Sequence, residues 1–119
     1  MSKNMQLQNV TFPQAIRLKE NGFDWMTDEA YDTKGKFCAM WVLYDIIDVC
    51  YRAPTVALAL KWYRDVMGIA GGIIRLSLGG FGFACDIESR SLMEKYDTYE
   101  DAESALLDAV QYEVVRRGK

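Results

Sequence analysis

Two adjacent glycines, Gly79-Gly80, separate two apolar runs, and this feature most restricts what the chain can fold into. Glycine reaches positive φ without steric cost, so the pair fits a two-residue hairpin turn. Such a turn sets the register of everything beside it. Leu78 then faces Phe81, Leu76 faces Phe83 and Ile74 faces Cys85, with Ile87 continuing the same side. The opposite side carries Arg75, Ser77, Gly82, Ala84, Asp86 and Glu88. A hairpin from Ile73 to Glu88 with one core face and one solvent face is the expectation.

Helices are expected on either side of this hairpin. Pro54 biases Ala53 away from helix, and Thr55 can cap a helix beginning at Val56. Val56, Ala59, Leu60, Tyr63, Val66 and Met67 fall at helical spacing on one face. Leu58 and Trp62 form a second stripe, Lys61, Arg64 and Asp65 face water, and Gly68 ends the helix. The connection Gly68-Ile69-Ala70-Gly71-Gly72 leads from helix into strand. That is the reverse of a phosphate-binding loop, which enters a helix N-terminus. After the hairpin, Thr98 with Asp101 three residues on opens a closing helix. Its apolar face is read as Tyr99, Ala102, Ala105, Leu106, Ala109 and Val110. Acids crowd its first turn and Arg116, Arg117 and Lys119 its end, both favourable to the helix dipole.

The amino-terminal half carries weaker signals. Thr11-Phe12-Pro13-Gln14 has the form of a capping box with proline in the first turn. Ala15, Ile16 and Leu18 come next, and Asn21-Gly22 stops that helix. Phe23, Trp25 and Met26 are expected to pin the next segment to the core. Asp32-Thr33-Lys34-Gly35 is a turn between two strands, Glu29 to Tyr31 and Phe37 to Tyr44. The second of these is apolar on both faces, which suits a central strand but also a buried helix. Residues 45–52 read as either turn or short helix.

Composition limits the chemistry. The 119 residues are 50% hydrophobic and 26% charged, as in ordinary globular chains. No apolar run approaches the roughly 18 residues needed to span a bilayer, and the first residues lack a signal-peptide core. A cytoplasmic location is therefore expected. There is no histidine, which removes imidazole bases, most zinc sites and the common nucleophilic triads. Cys38, Cys50 and Cys85 are odd in number and lack metal-like spacing, so reduced thiols are expected. Carboxylates gather at Asp45/Asp48, Asp86/Glu88 and Asp97/Glu100/Asp101 without a calcium-loop spacing. They read as capping and solvated residues, and neither catalytic residues, metal nor cofactor is expected.

Charge is unevenly spread. From Asp86 to Glu113 nine acids stand against two bases. Such a stretch repels phosphate backbones and attracts a basic surface. Glu100, Asp101, Glu103 and Asp108 are the candidate partner-binding residues, with Trp62 as an aromatic anchor lying off the main apolar stripe. Lys61, Arg64 and Arg75 are the alternative, a small basic patch for a nucleic-acid-binding or regulatory module.

Gly80-Phe81-Gly82-Phe83-Ala84 resembles the centre of the RNA-recognition-motif signature, whose strand aromatics stack on bases. The likeness stops there. Gly79 stands where that motif has a basic residue, and Asp86 where it has its last aromatic. The register above also turns Phe81 and Phe83 toward the core.

A broader likeness rests on Ala53-Pro54-Thr55, Lys61-Trp62-Tyr63-Arg64, Gly68-Ile69, Thr98-Tyr99-Glu100-Asp101-Ala102 and the opening segment Gln14 to Asp24. These resemble a family of small proteins of Bacteroidetes prophages and mobile elements that has no assigned activity. The chain departs from them at Tyr63 and Asp65, where leucine or phenylalanine and glutamate are the rule. The resemblance implies a phage-borne accessory protein and gives no site residues.

Together these readings lead to one expectation. The fold is α+β, a small antiparallel sheet of two hairpins with helices packed on one face, in the order αββαββα, as a single domain over residues 1–119. The function is non-enzymatic binding of a host protein with a basic surface, for example inhibition of a defence nuclease such as a CRISPR effector. Nucleic acid and membrane are not expected partners. Self-association stays open, for light scattering to settle.

Overall fold

A computed structural model of the protein describes residues 8–39, 50–85 and 95–118. It is α+β; the described residues form three helices and two small antiparallel sheets, which fall in two compact units, Met1–Thr55 and Val56–Lys119.

In the first unit, helix α1 (Phe12–Glu20) starts where the capping box places it. The Thr11 hydroxyl accepts from the Gln14 N–H at 3.3 Å, and the Thr11 N–H donates to Gln14 Oε1 at 2.9 Å. This reciprocal pair satisfies two of the helix's orphan donors and lets the Gln14 side chain be buried. Asn21 caps the far end, and the Phe23 N–H returns to the Leu18 carbonyl. Phe23 is buried as expected, whereas Met26 is 86% exposed and pins nothing. The segment is held instead by Arg52, whose Nη1 donates to the Trp25 carbonyl at 2.9 Å.

Strands β1 (Glu29–Tyr31) and β2 (Phe37–Ala39) form the expected hairpin, with Tyr31 opposite Phe37. A third strand, β3 (Tyr51–Arg52), pairs with the other side of β1, giving the order β2-β1-β3. The central strand is therefore β1, and β2 is an edge among the described residues. Residues 40–49, including Asp45 and Asp48, lie outside the described residues. Tyr31 stands in register with Phe37 on one side and Tyr51 on the other. Phe12 lays its ring against Tyr31 and Tyr51, at 5.3 and 5.5 Å between centroids. The Tyr31 hydroxyl donates to the Val10 carbonyl at 2.7 Å. Lys19 donates to the Cys50 carbonyl at 3.0 Å and sits over the Tyr51 ring, tying α1 to the start of β3. Ala30 and Cys50 are buried together, with Cys38 packed against them. Cys38 and Cys50 are free thiols, and burial pushes that of Cys50 up from its ordinary pKa.

The second unit holds helix α2 (Val56–Met67), strands β4 (Gly71–Arg75) and β5 (Phe81–Cys85), and helix α3 (Tyr99–Arg117). Helix α2 buries Val56, Ala59, Trp62 and Tyr63, while Val66 and Met67 are exposed. Its inner face is thus turned toward Trp62, and the last turn runs past its packing. The Tyr63 ring contacts Trp62 edge-on, and its hydroxyl accepts from Gln111 Nε2 of α3 at 3.0 Å.

The β4–β5 hairpin forms a sheet of its own, so among the described residues the expected single sheet of two hairpins is two sheets, in the order αβββαββα. Its register also differs from the expected one. Ile73 pairs with Phe83, Arg75 with Phe81 and Gly71 with Cys85. The Leu76 N–H donates to the Gly80 carbonyl, and the Gly79 N–H to the Leu76 carbonyl. Ser77, Leu78 and Gly79 are therefore the loop, a turn closed by a glycine bulge. Gly79 and Gly80 both take positive φ, 102° and 84°, but as the last residues of a longer turn rather than its two centre positions. In consequence Ile74 leaves the Phe81/Phe83 side, and Leu78 is 96% exposed. Phe83 remains buried, stacked on Tyr96, and Phe81 meets Tyr99 edge-on at 6.0 Å. Both rings thus pack on the segment that leads into α3, as the core reading required. Asp86 and Glu88 lie outside the described residues.

Candidate functional site

Helix α3 carries the residues expected to bind a partner. Thr98 caps it, its hydroxyl accepting from the Asp101 N–H at 3.0 Å. Glu100 and Asp101 lie in the first turn and Arg116 and Arg117 in the last, so fixed charge and backbone dipole agree at both ends. The inner face is more polar than its periodicity suggested. Ala102, Leu106, Leu107 and Val110 are buried, and so are Glu103, Gln111 and Glu113. Gln111 is held by Tyr63. Glu113 accepts from Arg116 at 2.9 and 2.8 Å and from Arg117 at 2.6 Å. Those guanidiniums, Arg116 foremost, hold the Glu113 carboxyl down to a pKa of about 2. It therefore stays charged at any physiological pH, with its charge compensated.

The four proposed acids separate on this helix. Glu100, Asp101 and Asp108 are exposed, whereas Glu103 is buried and leaves the surface set. Asp101 and Asp108 are seven residues apart and so fall on one stripe. Tyr112 and Val115 continue that stripe, Tyr112 58% exposed. Sequence reading missed both. Their signal was the steps of four and three residues beyond Asp108, which the charge-based choice of site residues passed over. Trp62 is also withdrawn as an anchor, since its indole is buried. Tyr99, read as core, is half out in solvent.

The alternative basic patch is partly neutralised. Lys61 and Arg64 both bind Asp65, at 2.6 and 3.2 Å. Arg75 stands apart in the sequence of elements, at the end of β4, and is exposed. Among the described residues no three His, Cys, Asp or Glu side chains gather as a cation site. Nor, among them, is any helix long and apolar enough to cross a membrane. No family model, no curated protein and no solved structure matches this chain.

The arrangement can do one thing chemically. It presents Asp101, Asp108 and the Tyr112 phenol along one stripe of a helix whose opposite face is buried. Such a surface is suited to charge complementarity with a basic partner and to burial of the ring.

Proposed function

We propose that this protein is a non-enzymatic accessory protein of a phage or mobile element, acting in the cytoplasm of a bacterial host. It binds a host protein through the outer face of α3, with Glu100, Asp101 and Asp108 meeting a basic surface and Tyr112 as the aromatic anchor. The observation that carries this reading is the shared stripe of Asp101, Asp108 and exposed Tyr112. Aromatic anchors ringed by charge are what binding hot spots are made of. A basic nucleic-acid channel has the complementary chemistry, which makes a defence nuclease the target class of choice. The family resemblance supplies the mobile-element context.

The test is capture from infected-host lysate with the wild-type protein and with an Asp101→Lys/Asp108→Lys variant. A captured protein that elutes with salt and is lost on charge reversal is the expected result. A set of captured proteins identical for the two baits counts against the proposal.

A further inference from the structure

Among the described residues the hairpin β4–β5 leaves one strand edge bare, and its composition says what fits there. The Leu76 N–H bonds across to Gly80, so 76/80 is a hydrogen-bonded pair of the ladder. Antiparallel ladders alternate, which makes Ile74/Gly82 and Gly72/Ala84 the next such pairs. The phase is checked by Phe81. Its N–H and carbonyl turn away from β4 and bond Tyr96, each at 2.8 Å. Gly71, Ile73 and Arg75 therefore aim their backbone groups outward, away from β5. Among the described residues these groups meet no partner strand, since the sheet has the two strands β4 and β5. Gly71, Gly72, Ile74 and Arg75 are exposed and Ile73 is half-buried, so among the described residues no element covers the edge. It also lacks the usual guards, a central lysine, a proline or a bulge.

We infer that this edge is a self-association site, at which β4 of a second copy pairs antiparallel about Ile73. The sequence of the strand is complementary to its own reverse in size. Ile73 faces Ile73, Ile74 faces Gly72, and Arg75 faces Gly71. Ile74 and Arg75 each lie opposite a glycine, the two Ile73 side chains meet at the centre, and the two arginines fall at opposite ends rather than against each other. The residues with outward backbone groups, 71, 73 and 75, are the ones such a pairing joins, through about six hydrogen bonds. The product is a continuous antiparallel sheet in the order β5-β4-β4-β5. An edge of five residues buries on the order of 600 Å² in total, below what long-lived dimers use, so the dimer is reversible with Kd roughly 10 to 1,000 µM. This surface is separate from the outer face of α3.

Sedimentation equilibrium from about 10 µM to 1 mM tests the inference. The weight-average mass rises from 13.6 kDa toward twice that value. Ile73→Pro removes an outward donor and spares the ladder bonds of Gly72 and Ile74, so it weakens association at least tenfold with an unchanged far-UV circular dichroism spectrum. Should that variant misfold, Gly72→Lys/Ile74→Lys replaces it. A Cβ at Gly72 meets nothing within 4 Å, and the double change sets lysine against lysine across the pair, with the same expected loss. A wild-type chain that stays at 13.6 kDa to 1 mM overturns the inference. So does a dimer that survives either substitution in a folded protein.

Discussion

The two hairpins of this chain close their turns by different means. In the first, a side chain builds the turn. Asp32 Oδ1 accepts from the N–H groups of Lys34 and Lys36 at 2.8 and 2.9 Å. The backbone of Asp32 closes the loop with Lys36 and Gly35, leaving one register. In the second, the signal was backbone freedom alone. Gly79 and Gly80 both take positive φ as foreseen, but two turn types of different length use glycine that way. Contacts remote in sequence chose between them. Tyr96 pairs with Phe81, and a side chain at Gly80 would meet Lys95 at 2.7 Å and the Tyr96 carbonyl at 2.9 Å. A turn held by a carboxylate declares its register, while a turn made of glycine leaves the choice to tertiary packing.

That contrast can be broken experimentally. The largest effect is expected from Phe83→Ala, which empties a buried position on which the second hairpin depends. It should cost about 3 to 5 kcal/mol in urea denaturation. Gly80→Ala comes next, at about 2 kcal/mol, because it combines a positive φ with a clash against the Tyr96 backbone. Asp32→Ala should lower the urea midpoint by less than Gly80→Ala does, through two lost hydrogen bonds in an exposed turn. Leu78→Ala should change stability by less than about 0.5 kcal/mol, since the side chain is out in water. Under the two-residue-turn register, Leu78 would instead be a core residue and lose several times more.

Acid separates the hairpins as well. The backbone N–H of Lys36, first, and that of Lys34 hold the Asp32 carboxyl below its ordinary 3.8. A depressed carboxylate gives stability that is complete above the unfolded value and is lost as pH falls through the folded one. The protection of the Lys34 and Lys36 amides, taken as intrinsic over observed exchange rate, should therefore fall as pH drops below 3.8. Gly79 and Gly80, whose turn has no carboxylate, should not change in that window.

Much of the rest divides in the same way. The capped helix starts at Thr11 and Thr98 were legible because the signal and its partner sit three residues apart. Strand β3 was not, because two residues pairing with β1 across a gap of some twenty carry no pattern of their own. On α3 the apolar periodicity was blurred by Glu103, Gln111 and Glu113, which are buried there. Gln111 and Glu113 have partners, Tyr63 and two arginines, that no local window identifies as such. The candidate site was half readable for that reason. Asp101 and Asp108 were found from charge, Glu103 was placed outside when it lies within, and Tyr112 was overlooked.

The register of the second hairpin underlies the exposure of Leu78, the departure of Ile74 from the core side and the bare edge of β4. Two-dimensional nuclear Overhauser spectroscopy reads it directly, since Hα protons face each other closely at non-hydrogen-bonded antiparallel pairs. Cross-peaks between the Hα protons of Ile73 and Phe83, and of Arg75 and Phe81, are the expected result. Cross-strand contacts joining Leu76 to Phe83 and Ile74 to Cys85 would contradict it.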